Sequence, residues 1–318
     1  MSRTSDRDAP AQTPDQPAAR QGRCGVVALV GAPNAGKSTL MNRMVGAKLS
    51  IVTHKVQTTR TRVRGVAIDG DSQIVFVDTP GVFTAPKRRL ERAMVASAWQ
   101  GADDADLVVL LYDVARKQVD EDTLRIVRRL NQLSTPMVLA LNKIDRIKRE
   151  KLLEIAARFD QEASFERIFM ISAETGDGIA DLRGYLAARL PEGPWLFPED
   201  QLSDLPMRLI AAEVTREKLF LRLHAELPYA LTVETEDWQQ FDDGSVRIEQ
   251  AIYVEREAQK KIALGRQGGT IRKVREAAQA DLAEQLGQPI HLFLFVKVRE
   301  GWTDDPERYS PWGLDFNA

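Results

Sequence analysis

The chain has 318 residues, 43% of them hydrophobic and 28% charged, with a formal net charge of −2. That length accommodates two domains of ordinary size, and the composition is that of a folded globular protein rather than a polycation, so any nucleic-acid surface must be a local patch. A single cysteine, Cys24, excludes an intramolecular disulfide and points to a reducing compartment, the cytosol.

The first 23 residues carry Pro10, Pro14 and Pro17 among Asp, Gln, Arg and Ser. Without an apolar core segment they are no secretory signal, and they read as a disordered tail. No apolar run approaches the roughly 20 residues that cross a bilayer. From Cys24 onward, short apolar runs stand at 26–30, 74–77, 107–111, 137–141 and 168–171, each followed by turn residues. Runs apolar throughout predict strands buried on both faces, hence a mainly parallel sheet covered by helices. Helices fit between them at 37–45, 88–101, 121–133, 149–164 and 179–190.

The texture changes at 191–206, where Pro191, Pro194, Pro198 and Pro206 alternate with Glu and Asp and predict a linker. Beyond it come a helix at 207–224, strands at 230–235 and 246–255 joined through Asp242, Asp243 and Gly244, and a short helix at 258–264. A glycine-rich turn, a long helix at 270–286 and a strand at 291–298 complete an α-β-β-α-α-β order. The expected division is a tail at 1–23, an α/β domain at 24–190, a linker at 191–206, a smaller α+β domain at 207–300 and a C-terminal tail at 301–318. Within that last segment, Trp302 and Trp312 fit domain packing, as does Trp195, better than base stacking.

Gly31, Ala32, Pro33, Asn34, Ala35, Gly36, Lys37 and Ser38 match the G-x-x-x-x-G-K-[ST] phosphate loop, placed directly after a strand and before a helix that starts near Lys37. Glycines let successive backbone N–H groups turn in on phosphate oxygens, and the helix N-terminus, with Thr39 in its first turn, adds partial positive charge. Lys37 is then placed for the β- and γ-phosphates and Ser38 for Mg²⁺. Asp78, Thr79, Pro80 and Gly81 end the strand 74–77, setting a carboxylate for the Mg²⁺ shell and the Gly81 amide for the γ-phosphate.

Asn142, Lys143, Ile144 and Asp145 follow the strand 137–141. A carboxylate there accepts from guanine N1–H and the exocyclic amine, donors that adenine does not offer in that arrangement, so Asp145 carries base selectivity. Lys143 lays its stem across the base, and Asn142 ties loops together. Ser172, Ala173 and Glu174 follow the strand 168–171, with the Ala173 N–H assigned to guanine O6. Between the first two motifs lies Gln57-Thr-Thr-Arg-Thr61, where a threonine can close over Mg²⁺ in the triphosphate state, Thr59 being preferred to Thr58.

In the second domain, Gly265, Arg266, Gln267 and Gly268 form a GXXG turn between helical stretches. From Arg256 to Arg275 there are seven basic residues (256, 260, 261, 266, 272, 273 and 275) against one acid, Glu257, a local excess of +6. Such a turn is how KH domains grip about four nucleotides of single-stranded nucleic acid, so Lys260, Lys261, Arg266, Gln267 and Lys273 are the candidate RNA contacts. Ile262, Leu264 and Ile271 are expected in the core. His54, His224 and His291 have no metal-ligand spacing and read as structural or surface residues.

Taken together, the G-x-P-N-x-G-K-S loop, QTTR, D-T-P-G, N-K-x-D, S-A-E-T-G and the GXXG turn resemble the Era family of bacterial GTPases over roughly residues 24–301. Residues 254–261 (VEREAQKK) and 294–302 (LFVKVREGW) extend the match. The resemblance implies a Ras-like P-loop GTPase domain followed by a type II KH domain, in a monomer that uses GTP, GDP and Mg²⁺. It further implies binding to the 3′ end of small-subunit ribosomal RNA, assistance to small-subunit assembly, and a cytoplasmic protein with some association at the inner membrane face. Ras-type enzymes place a water-orienting glutamine after the glycine of the second motif; here that residue is Val82, followed by Phe83, so slow intrinsic hydrolysis is expected. The resemblance offers Asn34 as a substitute that helps hold a potassium ion. The N-terminal tail exceeds the usual family start by some 20 residues.

Overall fold

The computed structural model describes residues 21–318 apart from 54–58, 60–61, 83–85, 87, 117, 225–226 and 310–311. Every all-apolar run lies in a strand, and those at 74–77, 107–111 and 137–141 are buried throughout, as apolar residues on both faces of a sheet demand, whereas Met170 in the run at 168–171 is 36% exposed. β1 (Gln21–Val30), β2 (Val63–Asp69), β3 (Ser72–Asp78), β4 (Leu107–Asp113), β5 (Met137–Asn142) and β6 (Ile168–Ile171) lie in the order β2-β3-β1-β4-β5-β6. All neighbours are parallel except β2, which pairs antiparallel with β3. On one face, α1 (Lys37–Val45) and α5 (Ile179–Arg189) bury Leu40, Met41, Leu182 and Leu186 against Leu29, Phe76 and Val109. On the other, α2 (Arg89–Asp103), α3 (Glu121–Leu130) and α4 (Glu150–Asp160) bring Trp99, Val127 and Phe159 onto Ala28, Leu110 and Leu139. α3 shows the local logic: Asp120 caps it by accepting the Thr123 N–H at 2.8 Å, acids fill its first turn, and Arg128 and Arg129 fill its last.

Two expectations are corrected here. Residues 21–23, assigned to the tail, belong to β1, and residues assigned to the linker form β7 (Glu192–Pro194), which pairs antiparallel with them. That pairing, Gln21, Gly22 and Arg23 against Pro194, Gly193 and Glu192, is made by backbone groups and leaves no apolar pattern to read. The linker is also strapped to the sheet. Gln73, fully buried, accepts the Leu196 and Phe197 N–H groups at 2.9 and 3.0 Å and donates to the Phe197 carbonyl at 2.8 Å, while Val66 N–H donates to Leu202 O at 2.9 Å. Residues 1–20 lie outside the described part.

The second sheet contains β8 (Leu231–Gln240), β9 (Val246–Val254) and β10 (Ile290–Val298) in the order β10-β9-β8, with β9 and β10 parallel and β8 antiparallel to β9. One of its faces packs on α6 (Met207–Arg222), α7 (Glu257–Leu264) and α8 (Gly269–Leu286), which contribute Leu219, Ala263, Val274 and Leu282. This is the α-β-β-α-α-β order read from the sequence. No helix among the described residues is long and apolar enough to cross a membrane.

Residues 302–316 are no free tail. Trp302, Tyr309, Trp312 and Leu314 bury against Leu90, Ala93 and Met94 of α2, and Trp302 Nε1 donates to Ala230 O of the second unit at 3.3 Å. The C-terminal aromatics therefore cement α2 to the second sheet. Truncating a fully buried tryptophan removes both transfer energy and packing, so Trp302→Ala should lower stability by about 3–5 kcal/mol in urea or guanidinium titration; a loss under 1 kcal/mol would remove this cluster from the core.

Candidate nucleotide site and nucleic-acid interface

The loops that leave the C-terminal ends of β1, β3, β4, β5 and β6 gather at one edge of the first sheet, where open α/β sheets bind ligands. Gly36 stands where the phosphate loop meets the β5 loop. A Cβ there would lie 2.2 Å from Asn142 Nδ2, and its φ is 99°, so no residue with a side chain fits without displacing Asn142. Asn142 is itself buried. Its amide donates to Ala35 O at 2.8 Å, and its carbonyl accepts the Ala173 N–H at 2.9 Å. One side chain thereby joins the first, third and fourth motifs.

Lys37 Nζ donates to the Gly31 and Ala32 carbonyls at 3.0 and 3.1 Å. Burial pushes its pKa down to about 8, with Arg116 adding to that depression and Asp78 opposing it. Ser38, Thr59 and Asp78 converge: Ser38 Oγ donates to Asp78 Oδ2 at 2.6 Å, and the Thr59 hydroxyl lies 3.0 Å from Ser38 Oγ and 3.3 Å from Asp78 Oδ2. Asp78 Oδ1 is buried with no hydrogen-bond partner among the described residues, and burial raises the Asp78 pKa against the pull of Lys37. Two hydroxyls and an orphaned buried carboxylate oxygen are the hard oxygen donors that Mg²⁺ selects. Among the described residues no cluster of three His, Cys, Asp or Glu offers an alternative metal site.

Thr79 Oγ1 donates to Leu29 O at 2.7 Å, and Val82 N–H donates to Gly31 O at 3.2 Å, which draws Pro80 and Gly81 against the phosphate loop. Val82 itself is buried with Ala98 and Leu110 and points away from the cavity. Asn34 and Lys143 both hold positive φ, 62° and 70°, conformations that a binding site retains at a cost to the backbone. Lys143 Nζ bridges Asn34 O at 2.8 Å and Asp113 Oδ2 at 2.5 Å. The Asp145 carboxylate receives the Ser172 hydroxyl at 2.6 Å and faces Arg146 at 3.7 Å.

These loops enclose a cavity of about 380 Å³ lined by Pro33, Asn34, Gly36, Lys37, Ser38, Thr39, Thr59, Gly81 and Lys143. The Ala173 N–H, assigned above to guanine O6, donates to Asn142 Oδ1 and the residue is buried, while its neighbour Glu174 lines the cavity. Asp113, Arg146, Ile51, Val52, Thr53 and Leu221 also line it. Sequence reasoning passed over all of them because none belongs to a recurring motif. Gln57, Thr58, Arg60, Thr61, Phe83 and His54 lie outside the described residues; His224 and His291 are exposed.

At the GXXG turn, Gly265 ends α7 with φ of 73°, and a Cβ on it would strike Thr270 Oγ1 at 2.2 Å. Gln267 adopts φ of 52°, and the Gly268 N–H closes the turn on Gly265 O at 3.2 Å. Lys261, Arg266, Gln267 and Lys273 are exposed, Lys260 is half-buried, and none of the four cations forms an ion pair among the described residues. Leu264 and Ile271 pack on the core as expected, but Ile262 is 58% exposed. The eight-residue α7 buries only Ala263, so Ile262 instead offers an apolar surface beside the turn.

Residues 26–143 match a family profile described as a 50S ribosome-binding GTPase, and residues 226–303 match that of a KH domain. The chain is 63% identical over 295 residues to the GTPase Era of Sinorhizobium medicae, covering 92% of this chain and 94% of that one. It is 58% identical over 298 residues to the GTPase Era of Brucella suis, covering 94% and 95%. Two solved structures superpose with a TM-score of 0.86 at 35% identity, over 92% of this chain and 99% of theirs. One is an Aquifex aeolicus Era variant bound to GDP·AlF4−; the other is Era in complex with MgGDPNP and nucleotides 1506–1542 of 16S ribosomal RNA.

The depressed pKa of Lys37 has a measurable consequence. A phosphate anion beside the amine favours the charged form and raises its pKa above the value of about 8 in the empty site, so ligand binding takes up a proton near that pH. Affinity for a nucleoside phosphate should therefore fall as pH rises through 8. Titration calorimetry at pH 8.5 in buffers of different ionisation enthalpy should report net proton uptake, absent in Lys37→Met; zero uptake by the parent chain would contradict the assignment.

Proposed function

This chain belongs to the Era family of GTPases, and on that premise we propose that it is a GTP-hydrolysing switch that grips the 3′ end of small-subunit ribosomal RNA and assists assembly of that subunit. The observation that carries the reading is the presence, in one chain, of a strand-edge phosphate cradle and an exposed GXXG turn with unpaired cations. We assign its work to the cytoplasm, as a monomer, with peripheral contact at the inner membrane face as the family resemblance implies.

In this reading the backbone N–H groups from Gly31 to Thr39 and the α1 N-terminus receive the phosphates, and Lys37 leaves the Gly31 and Ala32 carbonyls to meet them. Ser38, Thr59 and Asp78 would hold Mg²⁺, which when bound neutralises charge on the phosphate oxygens. Asp145, oriented by the Ser172 hydroxyl, accepts from guanine. Lys143 steadies the phosphate loop from the base side, and the Gly81 amide senses the terminal phosphate. With Val82 buried away from the cavity, water positioning falls to other groups, and Asn34 is the candidate holder of a potassium ion.

Hydrolysis should be faster in potassium than in sodium at equal ionic strength, with Asn34→Ala erasing the difference. Equal rates in both salts would transfer the missing charge to a partner. For the RNA side, replacing Arg266 and Gln267 together with aspartate keeps both glycines and turns the face acidic. Binding to a single-stranded 3′-end fragment of 16S RNA should be lost in filter binding while GTP affinity stays unchanged. Parent binding should weaken with salt at a log–log slope of about −0.7 per phosphate neutralised; salt-independent binding, or survival of the double change, would point to a protein-docking role for the second domain.

A further inference from the structure

The lining of the nucleotide cavity includes one side chain from the second domain, Leu221 of α6. It is 53% exposed, and the nearby lining residue Val52, from the segment that leads toward Thr59, is 40% exposed. Two open apolar side chains in a site that also presents charged and polar groups are costly in water and become favourable once a ligand covers them. The rest of α6 is committed elsewhere: Ala212 and Leu219 belong to one core cluster of the second domain, and Ala211 and Val214 to another.

Leu221 is held in place by its own helix. Glu217, four residues earlier and hence on the same face, has a side chain only 6% exposed. Its Oε2 accepts the Val52 N–H at 3.2 Å, and its Oε1 accepts Lys48 Nζ at 2.8 Å. Lys48 also meets Asp281 of α8 at 2.8 Å, and Lys218 joins both carboxylates. Two cations and two anions thus pin residues 48–52 to α6 and α8. Removing one partner leaves the largely buried Glu217 carboxylate or its cations uncompensated, so the network works as a latch.

We infer that Leu221 is a nucleotide-positioning residue supplied by the RNA-binding domain: with Val52 it forms an apolar wall of the guanine-nucleotide pocket, and the Glu217–Lys48 latch keeps that wall closed and sets how long GDP stays bound. The inference rests on the nucleotide reading of this cavity. It differs from a general coupling of the two domains by naming the lifetime of bound GDP as the quantity that α6 controls. Reciprocity of coupled equilibria requires that bound GDP in turn holds α6 in its seat.

The test uses the full chain loaded with N-methylanthraniloyl-GDP and chased with excess unlabelled GDP in a stopped-flow fluorimeter. Leu221→Ala should raise the dissociation rate several-fold while leaving the association rate and the melting temperature near parent values, because the side chain is half exposed. Leu221→Met should restore the parent rate. Glu217→Gln should also speed dissociation, and its combination with Leu221→Ala should fall short of the product of the single effects, since both act through residues 48–52. A Leu221→Ala rate equal to that of the parent overturns the inference and leaves the nucleotide site standing. A faster rate that Leu221→Met fails to restore, or that comes with a lowered melting temperature, also overturns it. A parent chain that does not bind the labelled GDP overturns the site reading itself.

Discussion

The amide of Asn142 is the joint on which the first domain's site depends. It is the single group that satisfies a phosphate-loop carbonyl on one side and a base-loop N–H on the other. Both partners lie in water-poor surroundings, where an unmade hydrogen bond costs about 1–3 kcal/mol. The joint dictates sequence beyond itself. Residue 36 must lack a Cβ so that the amide can approach, and the loop after β6 must turn so that its second residue points inward. Around it, Lys143 repeats the device with a charge, spanning the phosphate loop and the end of β4. The phosphate and base halves of the cavity are therefore one rigid unit, while Thr59, among the described residues, meets the Ser38 hydroxyl and the Asp78 carboxylate.

Much of this was legible in the residues because the relevant physics is local. All-apolar runs gave five strands of the first sheet, since burial on two faces leaves no room for polar residues. The phosphate loop and N-K-x-D could be placed because each follows such a run. What escaped is equally physical. β2 (VRGVAID) is broken by Arg64 and Gly65 and buries Gly65, Val66 and Ala67 in succession, and β7 is three residues of Glu, Gly and Pro; their pairing is a backbone matter that side-chain patterns do not encode. The hydrogen bond from the Ala173 N–H to Asn142 was not legible either, because a backbone donor takes any acceptor that the fold brings near it, and sequence spacing does not reveal that approach. Ile262 was misplaced because a helix as short as α7 has too few residues for a periodic pattern to separate its buried face from its open one.

The two units meet through different chemistry at two places. On the nucleotide side the contact is ionic, with Lys48 set between Glu217 and Asp281. On the far side it is apolar and aromatic, with Trp302 and Trp312 edge-to-face at 6.4 Å over the residues of α2. Burial of apolar surface resists small displacements through tight packing, whereas an ion pair can be exchanged for water at modest net cost. The aromatic seam is thus the fixed side of the junction and the ionic one the side that can open.

The aromatic seam also sets a timetable for the newborn chain. Leu90, Ala93 and Met94 are synthesised some two hundred residues before the tryptophans that cover them. Until Trp302, Tyr309, Trp312 and Leu314 have left the exit tunnel, α2 presents an uncovered apolar strip to solvent and to any chaperone that samples it. The nucleotide domain therefore cannot reach its finished form as an autonomous early product; its completion waits on the aromatics that follow the second sheet, and a ribosome that stalled between Val298 and Trp302 would release a chain with both sheets formed but that strip still bare.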